Sequence, residues 1–160
     1  MLLDRFNKIL SHKDFKFKIS QIEILEKNRI FCRHGLNHLI DTARICYILS
    51  LENNLNISKD LIYATALLHD IGRYDEYING KSHTEVSQDT IQILKDCDYS
   101  TEEIQQIVHA IQKHQKQTDS IETLSDILYK ADKLSRLCFN CNARNECYWN
   151  DNKKNKTLII

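Results

Sequence analysis

The run Leu68-His69-Asp70-Ile71-Gly72 closes an apolar helical stretch and sets a histidine directly beside an aspartate. An imidazole nitrogen and a carboxylate oxygen offered together suit one divalent cation of the zinc, iron or manganese class. A lone pair of this kind says little. Here a histidine precedes it (His38), two follow it (His83 and His114), and an aspartate stands on a late helical segment (Asp132).

Helical periodicity must bring these residues together. Apolar residues recur near the 3.6-residue period at about 2–10, 19–31, 36–51, 59–70, 84–96, 101–116 and 121–138. Ser58, Ser82 and Ser100 stand where N-caps belong, and Ser100-Thr101-Glu102-Glu103 has the pattern of a capping box. The absence of proline and a total of three glycines favour helices joined by polar loops, here around 52–58, 72–83 and 117–120. The expected fold is an all-α bundle of about six to seven helices in a single domain over 1–160, with a short cysteine-rich extension from about 138.

Helical faces sort the candidates. His38 shares a stripe with Thr42, Ile45 and Leu49, and so points toward the core. His114 continues the edge of Ile104, Ile107, Val108 and Ile111, whereas His109 lies nearly opposite and is assigned to solvent. Asp132 sits beside the stripe of Leu124, Ile127, Leu128, Ala131 and Leu134, where a partly buried carboxylate needs a partner. The helix carrying His69 and Asp70 is apolar nearly all round and is expected at the centre. Taken singly, a histidine beside an apolar face is more often a core residue bonded to backbone. Several helices each contributing a ligand-type residue is a different case.

The order His … His-Asp … Asp resembles the HD-domain superfamily of metal-dependent phosphohydrolases. Four stretches within roughly residues 30 to 137 carry the resemblance. They are residues 38–44 (HLIDTAR), 66–73 (ALLHDIGR), 110–114 (AIQKH) and 129–133 (YKADK), of which the second is the specific one. The resemblance implies a metal site at His38, His69, Asp70 and Asp132. His83 and His114 resemble the two further ligands of the binuclear branch, in which Asp70 would bridge two divalent ions (iron, manganese, cobalt, nickel or zinc). Two such ions lower the pKa of a shared water and neutralise phosphoryl oxygens. His34 lies four residues before His38 on nearly the same face. His38 is preferred because Thr42-Ala43 resembles the pair after the family's first histidine; His34 is left to line the pocket.

By the same resemblance Arg73 stands where family members often carry a cation near the substrate. A guanidinium there could grip a phosphate through two hydrogen bonds. Arg73 is therefore a candidate catalytic and substrate-binding residue alongside Asp70; the alternative is an ion pair with Asp75 or Glu76. Lys133 is a candidate substrate-binding residue, Lys133 and Arg136 would add positive potential at the rim, and Glu85 could support a ligand histidine. The cyclic-di-nucleotide branch carries a Gly-Tyr-Pro motif, which a chain without proline lacks.

Lys+Arg and Asp+Glu both number 22, and no basic stripe suggests duplex nucleic acid as a partner. No apolar run approaches the ~20 residues of a membrane span, and the first ten residues lack a signal peptide's apolar core. The expected place is the cytoplasm, where the six cysteines read as thiols or metal ligands rather than disulfides. Cys138, Cys141 and Cys147 could supply three thiolates to zinc or an iron–sulfur cluster, with Cys32 a possible fourth. Against that stand the missing glycine knuckles, a spacing that matches no standard finger, and the frequency of cysteine as a small core residue. Such a site would anchor the C-terminus rather than perform chemistry.

The functional expectation is hydrolysis of a phosphate ester or anhydride in a small molecule, most plausibly a nucleotide. The alternatives are a di-iron oxygenase on the same fold and a non-catalytic nucleotide-binding module.

Overall fold

The computed structural model describes residues 4–159. Eight α-helices follow one another among them: α1 (Arg5–Ser11), α2 (Lys13–Leu25), α3 (Leu36–Glu52), α4 (Lys59–Leu68), α5 (Arg73–Asn79), α6 (Gln88–Asp96), α7 (Thr101–Lys113) and α8 (Leu124–Leu134). No β-strand occurs among the described residues, so the architecture is all-α, as the periodicity predicts.

Helix α4 is the centre because almost every one of its side chains is apolar or small. Leu61, Ile62, Ala64, Thr65, Ala66, Leu67 and Leu68 are all buried. The Ser58 hydroxyl starts the helix by accepting from the Leu61 N–H, and the Thr65 hydroxyl is satisfied by donating to the Leu61 carbonyl. Around α4 pack α1, α3, α7 and α8. On one side the core is built from large side chains, among them Ile9, Phe15, Ile22, Leu67, Leu68 and Ile107. The other side is built largely from small ones, Ala43, Cys46, Ala66, Ala110 and Ala131, with Ile62, Ile127 and Leu128. Small residues let helix axes approach closely, and this face is where α3 and α8 bring His38 and Asp132 against the end of α4.

Arg5 ties three elements together from the far side. Its guanidinium forms a two-pronged pair with Glu103 (both N···O 2.7 Å), reaches Asp60, and lies 4.3 Å from the Tyr99 ring centroid.

Several boundaries differ from the periodicity, each for a physical reason. The helix expected at 19–31 is α2, which begins at Lys13 because the His12 side chain caps it by accepting from the Asp14 N–H. It ends at Leu25 because the Glu26 carboxylate takes the His34 N–H, drawing 26–35 into a loop. The segment 72–83, expected to be a loop, holds α5; that helix buries none of its residues, so it lacks the apolar stripe that periodicity detects. Gly80, at φ +70°, ends it in the left-handed region. Helix α6 starts at Gln88 with Ser87 as its cap, not Ser82. The stretch before it is held down where Gly72 meets the backbone of His83. Helix α8 is shorter than 121–138, running from a Thr123–Asp126 capping box to Leu134. The first expected helix, at 2–10, begins at Arg5, and its residues before Asp4 lie outside the described residues.

Candidate metal centre

Both histidines that end the long helices are locked by the same local device. The last-turn carbonyls of a helix have no partner within it. His69, following α4, donates its Nδ1–H to the Ala66 carbonyl at 2.6 Å; His114, following α7, donates its Nδ1–H to the Ile111 carbonyl at 2.6 Å. Each bond fixes the ring's orientation and turns Nε2 toward the other donors. His38, in the first turn of α3, is held through Nδ1 by the Ser135 hydroxyl at 3.1 Å, and that hydroxyl donates to the Asp132 carbonyl at 2.7 Å.

Two groups of donor atoms result. In the first, His38, His69, Asp70 and Asp132 present ligand atoms within 4.8 Å of one another. His38 Nε2 lies 3.3 Å from Asp70 Oδ2 and 3.3 Å from Asp132 Oδ1; His69 Nε2 lies 3.1 Å from Asp70 Oδ2. In the second, Asp70 is joined by His83 and His114, with His83 Nε2 at 3.8 Å from Asp70 Oδ1. Asp70 belongs to both groups. The six candidate ligands read from the sequence therefore meet at one place, and either group could hold a metal ion.

The arrangement fits a cation. His69 Nε2 and Asp70 Oδ1 are buried and have no hydrogen-bond partner, an unusual cost unless something else satisfies them. Cationic side chains already lean into the first group: Lys133 pairs with Asp132 Oδ2, and Arg136 Nη2 donates to His38 Nε2 at 3.0 Å. Mixed imidazole and carboxylate donors suit the zinc, iron and manganese class.

The electrostatics set the charge balance: without a cation the first group holds a proton on His69, which an arriving ion would displace. Burial opposes charge on His69, but the nearby Asp70 and Asp132 carboxylates reverse this and push its pKa up to about 10. Burial would raise Asp70 and Asp132; instead the histidines facing them hold both well below the usual carboxylate range. His83 and His114 are driven toward the neutral, metal-binding form, first by burial and then by the charges of Arg73 and His69, His114 to about 4.

Arg73, at the start of α5, does two things at once. Its Nη1 pairs with Glu76 at 2.9 Å, while its Nε faces Asp70 Oδ1 at 3.4 Å. Asp75, the other candidate partner, is taken by the buried Lys18. Glu85 is exposed and supports no ligand; that place is held by Glu76, whose Oε2 is 3.2 Å from His83 Nδ1, because α5 turns its carboxylate back toward the site. Gln115 donates to His83 Nε2 at 2.8 Å. His109 is exposed, as its helical face predicts.

His34 joins neither ligand group. It is buried 6.0 Å (ring to ring) from His38, and its Nδ1–H donates to Glu26 Oε1 at 2.5 Å. Tyr77 donates to the same oxygen at 2.6 Å. Burial would raise Glu26, but these hydrogen bonds bring its pKa down to about 2 from 4.5. Nothing in the sequence pattern marks Glu26, since its partners are a loop and the helix α5 that periodicity does not reveal. A lowered carboxylate pKa adds stability that is complete above the unfolded value and is lost as pH falls through the folded one. The shift corresponds to about 3 kcal/mol at neutral pH. Glu26→Gln is thus expected to lower the melting temperature by roughly 10 °C at pH 7. The gap from wild type should narrow as pH falls from about 4.5 toward 2, measured by circular dichroism melts across that range. An unchanged gap would show that the carboxylate charge is not what holds the loop.

Against two of the donors, Asp70 and Asp132, opens a cavity of about 130 Å³, lined also by His34 and by four cations, Arg29, Arg73, Lys133 and Arg136. Phe31, Cys32, Cys147, Tyr148 and Trp149 complete its wall. None of the helices described is long and apolar enough to cross a membrane.

Comparison with known proteins agrees with this geometry. The HD domain family model matches residues 35–137, which span every one of the six donors. An uncharacterized protein of Clostridium beijerinckii is 42% identical over 155 residues, covering 96% of this chain and 97% of its own length. No solved structure matches. With the match covering well over half its length, the chain belongs to the HD domain family.

Proposed function

We propose that this protein is a metal-dependent phosphohydrolase that cleaves a phosphate ester or anhydride of a small molecule, with nucleotides the favoured class. The supporting observation is that Asp70, shared between two donor groups, lines a cavity that four cations also line. In this reading His38, His69, Asp70 and Asp132 hold one divalent ion, and Asp70, His83 and His114 a second, from among iron, manganese, cobalt, nickel and zinc. Such ions supply an activated water and offset negative charge developing on the phosphoryl oxygens.

The chain's own residues do the rest. Arg73, braced by Glu76, presents a planar guanidinium beside Asp70 where a phosphate oxygen would accept from it. Lys133 and Arg136, now paired with Asp132 and His38, turn toward an anionic ligand once cations satisfy those donors. A cavity of about 130 Å³ admits a phosphoryl group and leaves the remainder of the molecule at the mouth, where Tyr148 and Trp149 offer faces for an aromatic base. Six free thiols fit the reducing cytoplasm in which we place the protein.

Protein loaded with manganese, iron or cobalt should hydrolyse at least one member of a panel of nucleoside mono- and triphosphates and dinucleoside polyphosphates, and chelator should abolish the activity. No phosphate release and no cleavage with any of the three metals would defeat this reading.

A further inference from the structure

Beside the metal centre lies a second cavity, of about 320 Å³, whose wall includes Cys32, Cys138, Cys141 and Cys147. These are four of the six cysteines, they come from two distant stretches of chain, and all are free thiols. Their proximity has an electrostatic trace. Burial raises the Cys32 thiol's pKa, Arg136 opposes it, and Cys138, Cys141 and Cys147 each add to the rise.

The size of the gap between the sulfurs decides what they could hold. Four thiolates around one zinc, with Zn–S near 2.3 Å and tetrahedral angles, must lie about 3.8 Å apart. Such a set would fall well inside a 4.8 Å separation, yet the groups of donor atoms that converge to that distance among the described residues contain no cysteine. The four cysteines instead line one cavity. Iron–sulfur clusters place a body of iron and sulfide between four cysteine sulfurs, which need not touch. The other walls suit such an occupant: Arg136, Arg144 and Lys154 supply positive charge against the single carboxylate Asp41, and Trp149 adds an apolar wall.

We propose that Cys32, Cys138, Cys141 and Cys147 bind an iron–sulfur cluster in this cavity. Each thiol gives up its proton on ligation, and ferrous and ferric iron with inorganic sulfide supply the core, so its assembly needs no separate oxidant. Cys32 and Cys147 line both this cavity and the smaller one against Asp70 and Asp132, and Arg136 does the same. The cluster therefore pins the 138–149 segment to the 26–35 loop and fixes one wall of the reaction cavity. This inference is independent of the phosphohydrolase reading.

The test is acid-labile sulfide, which the histidine–aspartate centre does not contain. Full-length protein kept anaerobic and reconstituted with ferrous and ferric iron and sulfide should carry at least about two labile sulfides per chain, with broad visible absorbance that bleaches on reduction. Cys32→Ser, Cys138→Ser and Cys147→Ser should each lower the sulfide several-fold, while Cys97→Ala and Asp70→Asn keep it, with helicity checked by circular dichroism. Reconstituted wild type without labile sulfide would overturn the proposal. So would bound zinc with no sulfide, or sulfide that survives all three serine variants in folded protein.

Discussion

Asp70→Asn should reduce turnover on the order of 10³-fold or more, reflecting the several kcal/mol of charge stabilisation that a metal centre supplies. The expectation rests on position. Asp70 is the one side chain that stands in both donor groups, with Oδ2 toward His38 and His69 and Oδ1 toward His83. An amide keeps the shape, removes the negative charge and replaces one acceptor with a donor. Metal analysis should show both ions depleted. His83→Ala, in contrast, should deplete only one, because His38, His69, Asp70 and Asp132 remain complete without it. In chelator the melting temperature of Asp70→Asn should fall, since the histidines that face this carboxylate lose their buried partner. Undiminished hydrolysis by Asp70→Asn would end the proposed mechanism.

Gly72→Ala should cost about 3 kcal/mol of stability and at least about tenfold in activity, although alanine adds a single methyl group. A Cβ at Gly72 would lie 2.3 Å from the His83 carbonyl oxygen and 3.0 Å from its carbonyl carbon. Those are backbone atoms, so no side chain can swing aside; the 81–86 stretch must move bodily. His83 would then leave Asp70 and His114, and its support from Glu76 would be lost. Thermal melts should show the lower stability, and metal analysis should show selective loss of one ion with the first donor group still filled. A variant that melts and binds metal like wild type would mean that the contact yields more easily than backbone should.

The parts of this site legible from sequence are those written by helical periodicity. His38 lies on the buried face of α3 and Asp132 beside that of α8. His69 and Asp70 close a helix whose all-round apolarity gives away its central place. What periodicity does not write are contacts between a loop or an exposed helix and something distant in the chain. Helix α5 has charged and tyrosine side chains where a stripe would be, so Glu76 could not be foreseen as the partner of His83, and exposed Glu85 looked equally suitable. Glu26 was hidden for the same reason. Its partners His34 and Tyr77 are eight and fifty-one positions away. The wall that Cys32 shares with the last cysteines needed the fold, since spacing alone left the four residues without a geometry.

The short bonds from His69 and His114 to the carbonyls three residues before them reach beyond ring orientation. Ordering a free side chain on ligand capture opposes binding by about 0.5–1.5 kcal/mol. These two rings are already immobilised when the chain folds, so an arriving ion meets a rigid receptor and little of its affinity is consumed in arranging it. Metal uptake should accordingly leave the backbone around both rings unchanged.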